Sequence, residues 1–337
     1  LKRIVIIILT LVTAGGLYAQ SGSYAGSFAR LGFGARGLAK GNAMVSDIFG
    51  DYSGYYNPAI SCFQEDANLS LGYTFLTLDR KMNFIGVAKK ISMENGGAGI
   101  SLSWINAGVT DIDGRDNDGN KIGEFSTFEN QFYLGTGFLL DEKLALGLGF
   151  KLYYAKLFDE ITTNSIAFDI GAIYHAMPEL AFGLTVRDIS AKYKWETIDI
   201  YGSNGKSTTD KFPTLLNLGA SYLLPKNFGV ASLEIETMFV PEPSGQTSEP
   251  VPEYKKRYYY LKAGAEIRLS EQLKIRAGLD RIGLNEDDFG GSLKPGIGVG
   301  FRKILSKNIM LGIDYSFQLE PFTKQPMQNL GINFNFK

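Results

Sequence analysis

Tyr258-Tyr259-Tyr260-Leu261-Lys262-Ala263-Gly264-Ala265-Glu266-Ile267-Arg268-Leu269 alternates without a break. Tyr259, Leu261, Ala263, Ala265, Ile267 and Leu269 take one face, and Tyr258, Tyr260, Lys262, Gly264, Glu266 and Arg268 take the other. Successive side chains of an extended chain point to opposite sides. This is therefore a strand with one greasy face and one small or charged face. The next stretch repeats it, with Leu273, Ile275, Ala277 and Leu279 opposite Lys274, Arg276, Gly278 and Asp280. A soluble β-sandwich also alternates, but its strands are short, near 5–6 residues, and its apolar faces meet inside. Here strand after strand is long enough to cross a bilayer at a tilt, which takes about 9–11 residues.

Working outward, fourteen strands are read at 66–78, 81–91, 97–107, 125–140, 143–157, 162–176, 178–190, 211–224, 227–240, 256–270, 271–284, 291–305, 306–319 and 327–337. Long connections (108–124, 191–211, 241–255) alternate with tight ones such as Asp141-Glu142 and Pro225-Lys226. A barrel with loops on one rim and turns on the other has that rhythm. The fold class expected is all-β: a closed transmembrane antiparallel barrel of about fourteen strands with an N-terminal plug. A mean hydropathy of −0.04 agrees, because alternation hides the apolar band from any average. Aromatic residues at 13% suit interfacial girdles.

The front of the chain reads differently. Leu1-Lys2-Arg3, the apolar run Ile4–Val12 and a small-residue end at Ala19 give an expected cleaved signal peptide over 1–19. Residues 20–65 do not alternate, are rich in Gly, Ala and Ser, and are read as a plug of loop and short helix before the barrel of 66–337. The formal net charge of −1 favours no polyanionic partner, so nucleic acid is not expected. Cys62 is the only cysteine and cannot form an intramolecular disulfide.

Inward positions carry both signs. The expected lumen-facing set is Lys151, Asp169, His175, Arg187, Glu234, Glu236, Lys262, Glu266, Arg276, Arg302 and Asp314. Buried charges of both signs need partners or water, which a polar plug supplies. Arg36 and Asp47 are the expected plug anchors, and Asn57-Pro58-Ala59 suits a turn leading into the first strand. His175 is the lone histidine and is read as structural. No Ser-His-Asp set or metal-binding spacing stands out, so no catalytic residue and no cofactor are expected. The loop of Asp116, Asp118 and Asn120 places oxygens at alternate positions, but Ile122 stands where a calcium loop needs its last carboxylate. It is read as a solvated turn.

Two stretches carry a resemblance. Leu31-Gly32-Phe33-Gly34-Ala35-Arg36-Gly37-Leu38-Ala39-Lys40-Gly41-Asn42-Ala43 precedes Asp47, and Tyr55-Tyr56-Asn57-Pro58-Ala59 follows. This resembles the opening of PorV/PorQ-like outer-membrane proteins and, more distantly, the FadL-like transporters. It continues through Asp116–Phe125, Phe168–Tyr174 and Pro295–Phe301. The final strand, Asn329-Leu330-Gly331-Ile332-Asn333-Phe334-Asn335-Phe336, resembles the signal read by the barrel assembly machinery, with Gly331, Phe334 and Phe336 in its key places. The resemblance implies an outer-membrane location in a Gram-negative-type bacterium, in contact with outer-membrane lipid. It implies a fourteen-stranded barrel with a lumenal hatch, and hydrophobic small molecules as cargo. The alternative it implies is a type IX secretion shuttle binding the C-terminal domains of secreted proteins. An outer-membrane hydrolase is disfavoured, since His175 has no evident nucleophile beside it.

Overall fold

In the computed structural model, residues 24–51, 54–93, 96–158, 161–241, 257–285, 292–320 and 325–337 are described. The expected signal peptide lies outside them. The strands are β1 (Ala67–Phe75), β2 (Lys81–Met93), β3 (Gly96–Arg115), β4 (Lys121–Leu139), β5 (Leu144–Phe158), β6 (Ile161–Met177), β7 (Leu180–Ile189), β8 (Lys192–Glu196), β9 (Ser207–Lys211), β10 (Thr214–Leu223), β11 (Gly229–Phe239), β12 (Arg257–Arg268), β13 (Leu273–Gly283), β14 (Lys294–Ser306), β15 (Ile309–Leu319) and β16 (Pro326–Phe336). Fourteen of them close into one antiparallel barrel, in which β7 pairs with β10 and β16 returns to β1. The closing seam runs from Ala67↔Phe336 to Phe75↔Gln328. Closure removes both sheet edges, so each ladder's N–H and C=O groups are paired within the wall.

All fourteen expected strands are present in this barrel. Their outer faces stay exposed: Leu148 at 58%, Leu218 at 54% and Ile297 at 60%. Their inner faces are buried and mostly small, polar or charged. That is the reverse of a soluble core, and lipid is the solvent that suits it.

Two expected loops need correction. The connection read at 108–124 is mostly strand, because β3 runs to Arg115 and β4 starts at Lys121. The register breaks between Val109 and Ile112, with Asp111 at φ 60°. A bulge shifts the alternation by one residue, so the pattern across it no longer reads as one strand. In the connection read at 191–211, β8 and β9 pair into a separate two-stranded hairpin beside the barrel mouth.

Ahead of β1, a short helix α1 (Gly34–Ala39) and a 3-10 turn (Pro58–Phe63) lie inside the barrel. They divide the wall between them. Helix α1 packs on β13–β16 and β1, and the turn packs on β2–β6. Asn57 accepts the Ala59 N–H with its side chain, at 3.1 Å, and Pro58 takes the position where a missing N–H costs nothing.

Candidate functional site: a filled lumen beneath a loop-side vestibule

The N-terminal segment passes through a girdle of glycines. Inward-facing Gly99, Gly137, Gly147, Gly171, Gly183, Gly264, Gly278 and Gly296 each meet its chain so closely that an added Cβ would lie 2.2–2.6 Å from the nearest segment atom. Real Cβ contacts do not come that close, so only glycine lets the segment through. In sequence Gly264 and Gly278 read as the small half of an alternating pattern. That these glycines meet one segment is visible only once the strands are in register.

On one side the segment is held by charge. Arg36 bridges Asp47 at 2.7 Å and the wall's Glu266 at 3.0 Å. Lys40 is buried against Asp47 and donates to Ser232 at 3.1 Å. Asp51 pairs with Arg302 of β14. The backbone N–H groups of Met44 and Val45 both donate to Glu234, each at 3.0 Å. The wall continues the chain of charge: Glu266–Arg276 at 2.6 Å, Arg276–Asp314 at 2.6 Å, and Arg302–Asp314 at 2.9 Å. Burial pushes the Asp47 carboxyl up, but Arg36 and Lys40 outweigh it and hold it below the usual carboxylate range. Asp51 is likewise depressed: Arg302, Lys274 and Arg36 outweigh its burial. Lys40 and Asp51 were not singled out from sequence, because Gly- and Ala-rich surroundings gave them no pattern to stand in.

Lys151 and Asp169 form a second buried group at 2.8 Å, and Lys151 also bridges Asp188 at 2.7 Å. A bulge in β7 makes this possible. Asp188 has φ 60°, which turns it inward beside its neighbour Arg187. Arg187 lies over the Tyr55 ring at 4.6 Å. Glu234 and Glu236 share Lys262, at 3.0 and 2.6 Å. His175, half-buried near the turn rim, meets the rings of Phe49 and Phe63 edge-on, at 6.1 and 5.8 Å. At the closing seam, Gly331 faces inward while Phe334 and Phe336 stack on each other at 6.3 Å.

Asp116 of the acidic loop spends its carboxylate on its own turn. It accepts from the N–H groups of Asp118 and Asn120 and from the Asn120 amide. No group of three metal-ligating side chains occurs among the described residues.

Above the segment, on the loop side, lies a cavity of about 840 Å³. Tyr24–Phe28 and Leu31 form its floor, β3–β5 supply Ala107, Val109, Phe128 and Ala155, and the β8–β9 hairpin adds Tyr193 and Trp195. Several of its polar groups are engaged with one another, while Lys81 and Lys211 stand exposed at its edge. Arg80 bridges Glu320 at 2.7 Å, Tyr193 donates to Glu129 at 3.1 Å, and Trp195 donates to Asp210 at 3.0 Å. Lys156 sits over the Phe128 ring at 5.6 Å. What faces the cavity is largely aromatic and aliphatic carbon. Cavities of roughly 300–1,000 Å³ with such walls bind small apolar molecules.

The closed fourteen-stranded barrel is similar in fold to solved hydrocarbon channels and to a FadL homologue. The toluene transporter TbuX of Ralstonia pickettii superposes with a TM-score of 0.60 at 13% identity, over 91% of this chain and 98% of that one. The CymD monoaromatic hydrocarbon channel gives 0.58 at 13% identity, over 91% and 98%. A FadL homologue of Pseudomonas aeruginosa gives 0.58 at 11% identity, over 90% and 98%. No family model and no curated protein matches the chain. Identities this low establish the fold.

Proposed function

We propose that this protein is an outer-membrane channel that takes up small, neutral, hydrophobic molecules, with the loop rim facing outward. The observation that carries this reading is the vestibule of about 840 Å³, whose lining is mainly aromatic and aliphatic and whose Arg80, Glu129, Tyr193 and Trp195 are engaged in polar contacts. Such a site gains energy from apolar area removed from water and has little to offer a charged ligand. The solved channels of the same fold include a toluene transporter and a monoaromatic hydrocarbon channel, which supports the reading. The N-terminal segment acts as the plug: Arg36 and Asp47 anchor it, and Asn57-Pro58-Ala59 links it to β1.

Proteoliposomes holding the purified barrel are expected to take up a toluene-sized probe faster than protein-free vesicles. Ala107→Trp, which narrows the vestibule, is expected to reduce the difference. Equal uptake with and without protein contradicts the reading. If the barrel instead retains the C-terminal domain of a secreted protein, the shuttle suggested by the Leu31–Ala59 resemblance takes its place.

A further inference from the structure

A molecule that fills the vestibule closes one carboxylate off from water. Glu129 of β4 points inward, on the same face as Gln131 and Tyr133. Its neighbours across the two ladders are Ala107 of β3 and Ala155 of β5, so no large side chain stands beside it in the wall. All three line the vestibule. Oε1 of Glu129 accepts the Tyr193 hydroxyl at 3.1 Å. The side chain is half-buried, and its Oε2 accepts from no group among the described residues. The other carboxylates of the lining are placed differently. Glu320 is bridged by Arg80 at 2.7 Å, and Asp210 is exposed and accepts from Trp195 at 3.0 Å.

The tyrosine that fixes Glu129 is itself fixed. Its strand β8 is tied to β6 by the Lys192 N–H to Ser165 Oγ and the Lys194 N–H to Thr163 Oγ1, both at 3.0 Å. Its ring packs edge-on against Phe212 at 4.8 Å and Tyr153 at 6.4 Å. A donor held this way holds its acceptor too, so one carboxylate oxygen is engaged and the other is presented to the cavity. In the open vestibule solvent meets that second oxygen. A hydrocarbon filling the space removes the solvent and leaves a charged acceptor unpaired, which opposes its binding. A molecule of the same shape with a hydroxyl at that point supplies the missing donor.

We propose that the vestibule selects neutral hydrophobic molecules that carry one hydroxyl, such as phenols and aryl alcohols. Glu129 Oε2 accepts the hydroxyl proton, the ring lies among Phe28, Leu31 and Trp195, and Tyr193 is the positioning residue. This rests on the uptake reading and names its substrate class. The donor is a neutral hydroxyl rather than an ammonium because the surrounding charge is mostly positive. Arg80, Lys81 and Lys211 border the vestibule. Arg30 lies at its floor, donating to the carbonyls of Tyr24 and Ala25 at 3.0 and 2.9 Å. A cationic ligand meets this field before it reaches the single open carboxylate oxygen.

Equilibrium binding to the purified, detergent-folded barrel tests this with three probes: p-cresol, p-xylene, in which a methyl replaces the hydroxyl, and benzylamine, which is cationic at neutral pH. The barrel is expected to bind p-cresol about tenfold more tightly than p-xylene, the gain of one hydrogen bond to a charged acceptor. An apolar cavity without an acceptor ranks the two the other way, because a hydroxyl is costly to take from water. Glu129→Leu is expected to restore that opposite ranking. Should Glu129→Leu fail to assemble, Glu129→Gln keeps the size, loses the charge and is expected to cut the preference at least threefold. Tyr193→Phe is expected to weaken p-cresol at least threefold more than p-xylene, whereas equal losses overturn its positioning role. Equal binding of p-cresol and p-xylene, a preference that survives Glu129→Leu, or tighter binding of benzylamine than of p-cresol overturns the inference and leaves the uptake reading standing. If no probe binds, both fall. If the preference is found but proteoliposomes take up neither aromatic, the uptake reading falls and the selectivity of the site stands.

Discussion

The two halves of the lumen wall differ in what they turn inward. On β11–β15 the inward residues include Glu234, Glu236, Lys262, Glu266, Arg276, Arg302 and Asp314, each buried and each paired. On β3–β5 the corresponding layer is largely Gly, Ala, Ser and Tyr. From outside the halves look alike, since both present Leu, Ile, Val and Phe. The difference is therefore not a requirement of the membrane. It belongs to the N-terminal segment, which one half grips by ion pairs and the other by hydrogen bonds, from Tyr133 to Gly54 O and from Asn57 to Ala172 O, both at 3.1 Å.

The largest expected effect comes from cutting the grip. Glu266 is shared by Arg36, Lys274 and Arg276. Glu266→Ala leaves cations buried without their carboxylate, and removing one partner of a buried pair typically costs about 3–5 kcal/mol. Urea unfolding of the detergent-folded barrel measures this. A loss below about 1 kcal/mol means water already serves these charges, and the contrast between the halves collapses.

The outer faces supply a control. Ile235→Arg on the charged half and Leu148→Arg on the small half both place a guanidinium in lipid, at a cost of about 2–4 kcal/mol near the bilayer midplane. The two costs are expected to agree, because the halves differ only inside. Leu311→Arg is expected to cost less, since Leu311 lies three residues into β15 at its turn-rim end.

Glycine substitutions sharpen the contrast. A Cβ at Gly278 meets the Lys40 carbonyl carbon at 2.2 Å, and one at Gly147 meets the Ala59 nitrogen at 2.4 Å. Overpacking costs about 1–3 kcal/mol where nothing can yield. Gly278→Ala is expected to cost that much, because its neighbour is pinned. Gly147→Ala is expected to cost less, because no ion pair pins its neighbour. Equal stability losses would show two equally rigid halves.

Two smaller effects follow from titration. Asp47 and Asp51 have folded-state pKa values below the ordinary value of about 3.9. Their contribution is therefore fully present above that pH and is lost as the pH falls through the folded values. Thermal stability is expected to fall below about pH 4, and Asp47→Asn should shrink that fall. Burial pushes the Cys62 thiol up to about 11. Its alkylation should still be rising at pH 10, where an exposed thiol has levelled off.

Much of the barrel was legible because a strand's period is two and lipid demands greasy alternation on every strand. Legibility stopped where that rule stops. The bulge at Thr110–Asp111 shifts the phase, so the ends of β3 and β4 read as loop. The β8–β9 hairpin sets Tyr193 and Trp195 opposite Lys192, Lys194 and Glu196, a run of five residues too short to stand out as a strand. The charges of the inner wall were readable one by one, as Glu266 and Arg276 were. That these two face each other across β12 and β13 is a matter of register, which composition does not contain. The vestibule was not foreseen. It is assembled from Phe28, Phe128, Tyr193 and Trp195, which lie far apart in the chain.

The most direct test of the account is the conductance of the barrel with and without residues 24–56. The final strand and the wall are intact in the shortened chain, so assembly is expected to proceed. With the segment packed against the glycine girdle, single insertions in a planar bilayer should conduct little. Without it, the charged lumen fills with water, and conductance should rise by at least tenfold. A shortened barrel that inserts and conducts no more than the full chain would show that the segment does not close the lumen.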